Sequence, residues 1–321
     1  MQNVKDVSVG EDHMIAMTED GSVYTWGSNK YGQLGVNIDG DSVNHAVKVD
    51  TSAITAVTDE NGNGWFNGYY DNHGRPVEGK RDDHVRMMLT GQVFSVMGNV
   101  ADDAQTAAII KSADLYLYKK EVGGYRLNTD FKEEKFDLGR MFGFAYGEKE
   151  NGAVFSHMTV MYANALYQRG FVKEGYRALY TLLEQAMNTP VSLMYPGIPE
   201  YFDADGKGKY PYLTGAASWY MMTMVTQIFG FRGEWGDLVL EPKILLRQFD
   251  ESGNYSAQFP FRGQTYAVVY QNPQKKEYGD YRITEVWLDG QRYAGETNTG
   301  ICIPFAVLEG KENHTLRIVL G

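Results

Sequence analysis

Short stretches of alternating apolar and polar residues open the chain, a three-to-four periodicity carries its middle, and alternation returns at its end. Over residues 1–50, Val4, Val7 and Val9 alternate, Met14-Ile15-Ala16-Met17 follows Gly10, and Val23-Tyr24-Thr25-Trp26 returns after the turn signal Asp20-Gly21. These predict short antiparallel strands, punctuated afterwards by Gly27, Gly32 and Gly35. Four helices are predicted next. The first opens at Ala101-Asp102-Asp103, with acids in its first turn and Ala107, Ile110 and Leu117 along one side. The second spans residues 153–169, with Val154, His157, Met158, Met161, Ala165 and Leu166 at helical spacing and Gly170 as its stop. The third covers residues 173–187. The fourth starts at Gly215 and carries Trp219, Met222, Val225, Thr226 and Phe229 before Gly230. Tyr266–Tyr270, Tyr281–Leu288 and Thr315–Leu320 then read as strands, with Asp289-Gly290 as a turn. The expected fold class is mixed: a small β unit over 1–52, a helical segment over 53–238 and a compact antiparallel β-sandwich over 239–321.

Composition narrows the function. The 321 residues are 43% hydrophobic, enough for real cores. A formal net charge of −11 excludes nucleic acid as the expected partner. It also requires any phosphate site to be locally basic or built from backbone N–H groups. A single cysteine, Cys302, leaves no internal disulfide framework. No basic-then-apolar leader and no long apolar run is found, so a cytoplasmic setting without membrane contact is expected. The 23 tyrosines suit either tight packing or sugar stacking. Six scattered histidines lack zinc-ligand spacing, so neither a metal nor another cofactor is expected.

Two segments carry candidate chemistry. The helix starting at Gly215 offers unpaired N–H groups and a positive dipole end. Thr214 there is either a plain N-cap or a hydroxyl donor to a ligand oxygen, and Gly215 allows close approach to the backbone. His157 is either a hydrogen-bonded core residue or an anion ligand. Together they form one anion site only if the two helices meet in space. Trp65, Tyr69 and Tyr70 are either core or a sugar platform, and Asp71 either contacts substrate or fixes the turn of Asp71-Asn72-His73-Gly74.

Two resemblances sharpen this. Residues 9–35, with Val9-Gly10-Glu11-Asp12-His13 and Tyr24-Thr25-Trp26-Gly27-Ser28-Asn29-Lys30-Tyr31-Gly32-Gln33-Leu34-Gly35, resemble one blade repeat of the regulator-of-chromosome-condensation propeller family. No second copy follows, and a lone blade cannot bury both its faces. His13 and Trp26 are then structural. Residues 63–243 resemble the C-terminal half of the (α/α)6 barrel of glycoside hydrolase family ninety-four, which includes cellobiose, chitobiose and cellodextrin phosphorylases. Four landmarks carry the likeness: Gly64-Trp65-Phe66-Asn67-Gly68-Tyr69-Tyr70-Asp71, Lys149-Glu150-Asn151-Gly152-Ala153-Val154-Phe155-Ser156-His157, Leu213-Thr214-Gly215-Ala216-Ala217-Ser218-Trp219 and Leu238-Val239-Leu240-Glu241-Pro242-Lys243.

That family cleaves β-glucosidic bonds with inorganic phosphate as co-substrate, inverting the anomeric centre to give an α-sugar 1-phosphate. An aspartic acid protonates the leaving oxygen while phosphate attacks from the other face. The resemblance implies that His157, Thr214 and Gly215 hold phosphate, with Trp65, Asp71, Arg140 and Glu200 toward the sugar. A glutamate beside a dianion is repelled unless protonated or turned to a hydroxyl, so the role of Glu200 stays open. Two departures matter. The family's general acid lies in a Gly-Asp-Trp-Asn-Asp type motif, absent here. Arg140 follows Leu138-Gly139 where disaccharide-specific members carry a sugar-contacting glutamate, which points toward a β-1,2-oligoglucan-type substrate. The expectation is therefore the C-terminal portion of an inverting β-glucan phosphorylase, truncated and inactive alone. The alternatives are a non-catalytic carbohydrate-binding or interaction protein, or a hydrolase or lyase using Asp71. Expected partners are β-linked oligosaccharide, phosphate, and a second copy or the missing barrel half covering exposed inner helix faces.

Overall fold

The computed structural model describes residues 3–20, 22–30, 34, 36, 38, 40–49, 56–58, 63–71, 75–81, 83–194, 197–211, 215–295 and 297–321. The chain divides into two compact units, residues 1–56 and 57–321.

The first unit is a four-stranded antiparallel sheet of Val4–Val9, His13–Thr18, Val23–Ser28 and Ser42–Lys48, paired in chain order. Asp20 closes the second hairpin by accepting from Thr18 Oγ1 and from Ser22 N. The imidazole of His13 lies on Gly10, where a Cβ would sit 2.3 Å from Cε1, so both residues serve the turn. The burial in this unit is slight. The first strand is exposed along its length, while Ala16, Thr18, Thr25 and Leu34 are buried.

Among the described residues the second unit contains five helices of more than one turn: α1 Leu89–Met97, α2 Asp103–Tyr116, α3 Ser156–Gln168, α4 Val172–Met187 and, after the single turn α5 Thr189–Ser192, α6 Gly215–Thr223. α2 starts as its acids predict. Asp102 accepts from Gln105 N while Gln105 Oε1 accepts from Asp102 N, a reciprocal cap. α3 begins three residues later than the periodicity suggests, because Val154 and Phe155 pair with Phe202 and Tyr201 as strand. It is buried nearly all round and is the axis of the unit, packed by α1, α4 and α6. Asn164 Nδ2 donates to Thr223 Oγ1 at 3.0 Å and locks α3 to α6. At its C-terminal end, the buried Lys243 donates to Tyr167 O at 2.9 Å, a cation where the helix dipole favours one. The Leu238–Lys243 landmark thus ties the β module to α3. α6 continues into a π turn, Met224–Ile228, and stops at Gly230, whose φ of +63 and contact with the Glu241 backbone admit no side chain.

The helix α1 is absent from the periodicity reading. Its start, Met88, carries no side-chain cap, and Gly91 lies within it. Gly91 is there because α1 crosses Gly68 at backbone distance: a Cβ on Gly91 would meet Gly68 Cα at 3.0 Å.

The β module departs from expectation in two respects. It starts earlier, at the hairpin Phe231–Glu234 with Asp237–Leu240, which Ile301–Ile303 extends to three strands. Its larger sheet is not purely antiparallel: Gln264–Gln271 runs parallel to Asn313–Leu320 between antiparallel neighbours Asn254–Phe261 and Ile283–Leu288. Phe231 joins the two sheets, its ring 4.7 Å from Phe259 and 5.7 Å from Tyr266. No helix among the described residues is long and apolar enough to cross a membrane.

Candidate functional site

The strand Val154–Phe155 and its partner Tyr201–Phe202 deliver two chain ends to one place. Ser156 N donates to Glu200 O at 2.9 Å, so Glu200 sits at the start of α3 beside His157. No side chain caps α3: Phe155 stands at the N-cap position. Ser156 Oγ is buried without a hydrogen-bond partner among the described residues. His157, on the first turn, is half-buried, and its Nε2 is sealed and also without a partner among the described residues. Burial lowers its pKa below the usual 6.5, so the ring is neutral near pH 7.

The imidazole lies directly against the beginning of α6. A Cβ added to Gly215 would be 2.7 Å from His157 Cε1 and 2.9 Å from Nδ1. The glycine is what lets the ring reach the helix start. Trp219, one turn along α6, places its ring 5.8 Å from the imidazole. The first turn of α3 and the start of α6 therefore meet at the His157 ring. Such a junction suits a small oxyanion. Thr214 lies outside the described residues.

Glu200 joins this group through its backbone, and its own N–H is held by Lys209 O and Tyr210 O at 3.1 Å. The other sugar-side candidates lie elsewhere. Trp65 is 1% exposed and packs edge-on against Tyr116 at 5.7 Å, so its ring is core and presents no platform. Asp71 closes a turn: its carboxylate accepts from Arg75 N at 2.9 Å and from Arg75 Nε at 2.8 Å. Arg140 is exposed, pairs with Glu150 Oε1 at 3.3 Å, and stands over the Phe144 ring at 5.4 Å.

Periodicity and motif order gave no individual role to Lys149, which the structure makes conspicuous. Its backbone is left-handed, φ +47, and its ammonium stands 4.2 Å over the Tyr210 ring and 5.9 Å from that of Phe144. Its neighbour Glu148 accepts from Tyr201 OH at 3.1 Å. Burial, then that bond, push the Tyr201 phenol pKa up. Tyr201 in turn stacks on Phe155 at 6.2 Å, next to the His157 turn. The only sequence signal for Lys149 was its place in the second landmark. Among the described residues no three of His, Cys, Asp and Glu gather as metal ligands.

Residues 21–230 match the model of the glycosyl hydrolase 94 superfamily catalytic domain. The chain belongs to that superfamily. Residues 4–33 match the model of the regulator of chromosome condensation (RCC1) repeat, in agreement with the blade-like opening. The superfamily relatives are phosphorylases. Solabiose phosphorylase of Paenibacillus borealis is 23% identical over 240 residues, covering 72% of this chain and 30% of the relative. Cellobionic acid phosphorylase of Neurospora crassa is 26% identical over 214 residues, covering 62% and 26%. N,N'-diacetylchitobiose phosphorylase of Vibrio proteolyticus is 24% identical over 248 residues, covering 74% and 30%. This glycosyl hydrolase 94 chain thus spans less than a third of the length of these relatives.

Proposed function

We propose that this chain binds inorganic phosphate between the starts of α3 and α6 and holds a β-linked oligosaccharide beside it, as the C-terminal portion of an inverting β-glycan phosphorylase. The supporting observation is the packing of the His157 ring on Gly215, so close that a Cβ there would lie 2.7 Å from Cε1, with Nε2 left without a partner among the described residues. Phosphate supplies the partner Nε2–H lacks and also accepts from the amides of the α6 start. Thr214 adds its hydroxyl. The helical part is then a segment of an (α/α)6 barrel, the two facing sheets a β-sandwich, and residues 4–48 a single propeller blade.

In this reading phosphate attacks the anomeric carbon from the face opposite the leaving oxygen. The leaving oxygen needs a proton, and no Gly-Asp-Trp-Asn-Asp motif occurs in the 321 residues. Asp71, with both carboxylate oxygens taken by Arg75, is no substitute. The absent motif favours a second reading, in which the chain binds phosphate and sugar without turnover. Calorimetric titration with phosphate tests the site. The parent is expected to bind and His157→Ala to bind roughly ten-fold or more weaker; a parent without affinity overturns the proposal. Release of sugar 1-phosphate from β-gluco-oligosaccharides separates the two readings, with background release expected from this chain alone.

A further inference from the structure

Trp235 stands at the tip of the hairpin Phe231–Glu234 with Asp237–Leu240, in the turn between Glu234 and Asp237. It is 104% exposed, and its φ is +53. Gly236 beside it, at φ +96, completes the turn. Hairpin turns with positive φ favour asparagine, aspartate or glycine at the first position, because a larger side chain crowds its own carbonyl there. A single exposed apolar ring is ordinary on a surface. A ring in a conformation that its own backbone resists is not, and here the surroundings hold it in place. Arg262, at φ +49 in the neighbouring turn, donates from Nη1 to Gly236 O at 3.1 Å and lies 4.0 Å over the Phe305 ring. Phe305 N donates to Asp237 Oδ1 at 2.9 Å. Arg232 clamps the strand, donating to Glu234 at 2.7 Å and to Glu241 at 2.8 Å. The indole is thus a rigid convex knob. It cannot enclose a small ligand, but it fits a concavity in another protein surface, where tryptophan is a frequent anchor.

The same unit carries a concavity of matching kind. A pocket of about 230 Å3 opens where α4 meets α6 and the π turn Met224–Ile228. Tyr176, Tyr180, Tyr220, Met224, Gln248 and Tyr255 are among its walls. It is smaller than ordinary small-molecule sites, about 300–1,000 Å3, and on the order of one large side chain. Tyr176 and Tyr180 stack at 5.4 Å, and the Arg247 guanidinium stands 5.2 Å and 5.4 Å from their rings. An entering indole meets ring faces and a thioether, and a tyrosine hydroxyl can accept its N–H. Charges at the two surfaces agree. Beside the knob, Glu234, Asp237 and Glu241 face Arg232 and Arg262, and Glu234 shares Arg232 with Glu241. At the pocket, Arg247 has no ion pair among the described residues, Glu184 is paired with Lys120 at 3.9 Å, and Glu277 Oε1 accepts from Leu246 N and Tyr278 N. A shared carboxylate on one surface thus meets a spare cation on the other. Because Trp235 is fully exposed, the ring that fills the pocket comes from a different molecule. We propose that two copies of this chain associate by inserting Trp235 of one into the tyrosine-lined pocket of the other. The contact uses neither His157 nor the helix starts beside it, so it stands or falls apart from phosphate binding.

The test is sedimentation velocity on the full chain across a range of concentrations. The parent is expected to gain mass as concentration rises. Trp235→Asn suits the turn better than tryptophan does, so a folding failure is not expected from it; it should weaken association about ten-fold or more. Tyr180→Ala, at a partly exposed wall of the pocket, should weaken it similarly. A mixture of these two variants restores one intact knob and one intact pocket, and is expected to associate more strongly than either variant alone. Arg247→Glu should also weaken association, and adding Glu234→Lys in the same chain should recover part of the loss. A parent that stays monomeric at every concentration overturns the proposal. So does association that Trp235→Asn leaves intact, which would place the contact on another surface, or a mixture no stronger than its components.

Discussion

Two landmark segments of this chain look alike on paper, each an aromatic-rich motif containing a glycine against which another element packs. The Gly64–Asp71 segment uses Gly68 to admit the backbone of α1 at Gly91, and its Trp65 vanishes into the core. The α6 start uses Gly215 to admit an imidazole. Both regions contain polar atoms without partners among the described residues: Trp65 Nε1 and Asn67 Nδ2 in the first, His157 Nε2 and Ser156 Oγ in the second. An orphaned donor is therefore not enough to mark a site. The unpartnered atoms are sealed in both regions, and what separates the two is the exposure of the residues around those atoms. Trp65 and Asn67 are 1% and 5% exposed, whereas His157 is half-buried and Gly215 exposed. The first segment builds the scaffold, and the second is where the phosphate of the proposed function would sit.

The largest expected effect belongs to the scaffold. Trp65→Ala should destabilise the chain by about 3–5 kcal/mol through the cavity it leaves. Trp65→Phe should recover most of that loss. In thermal denaturation, a Trp65→Ala Tm close to the parent's would mean that the ring is not core. Phosphate affinity of the folded Trp65→Phe variant should match the parent.

Next comes Glu78, the carboxylate that staples this scaffold. Its Oε1 accepts from Gly68 N at 2.8 Å and its Oε2 from Met88 N at 2.7 Å. Burial raises its pKa from 4.5 to about 8, against those two hydrogen bonds. The folded state thus holds a proton that the unfolded chain has released. The contribution of Glu78 is complete below about pH 4.5 and is lost as pH rises through about 8. Glu78→Gln should remove that slope from a Tm-versus-pH profile. It should also cost about 1–3 kcal/mol at low pH, because an amide NH2 meets an N–H donor. A variant as stable as the parent at pH 5 would show that the staple is not held by these bonds.

How much of this was legible beforehand follows from what each feature depends on. The cap of α2 is local chemistry, Asp102 with Gln105, and could be read directly. The start of α3 could not, because Val154 and Phe155 have helical spacing but are taken as strand by distant Tyr201 and Phe202. α1 was invisible because its glycine answers to another segment and not to the helix. The parallel pairing of Gln264–Gln271 with Asn313–Leu320 is a matter of sheet order, about which alternation along one strand is silent. At the candidate site, the residue types at 157 and 215 were readable, but their meeting depends on how α3 and α6 pack. Trp65 was left open between core and platform because an aromatic in a motif reads the same either way.

Gly215→Ala probes the second region without removing any ligand-binding group. The added methyl would stand 2.7 Å from His157 Cε1, so the ring must turn away. Phosphate affinity is expected to fall several-fold while Tm changes by about a degree or two, since alanine is otherwise favoured in a helix. Unchanged phosphate affinity in calorimetry would separate His157 from the helix start.

The smallest effect is the proton carried by His157. Burial depresses its pKa in the free protein, so the unfolded chain takes up a proton first as pH falls below about 6.5. Stability should therefore decline from there down to the depressed pKa and then level, and His157→Ala should lack that step. Bound phosphate acts in the opposite direction. An anion against Nε2 favours the imidazolium, so binding near pH 6.5 should draw in protons. Titrations in buffers of different ionisation enthalpy read that uptake. Phosphate itself titrates in this range, so the informative quantity is the difference between parent and His157→Ala. Equal uptake by the two proteins would mean that the imidazole never meets the anion, and that the α6 amides bind it alone.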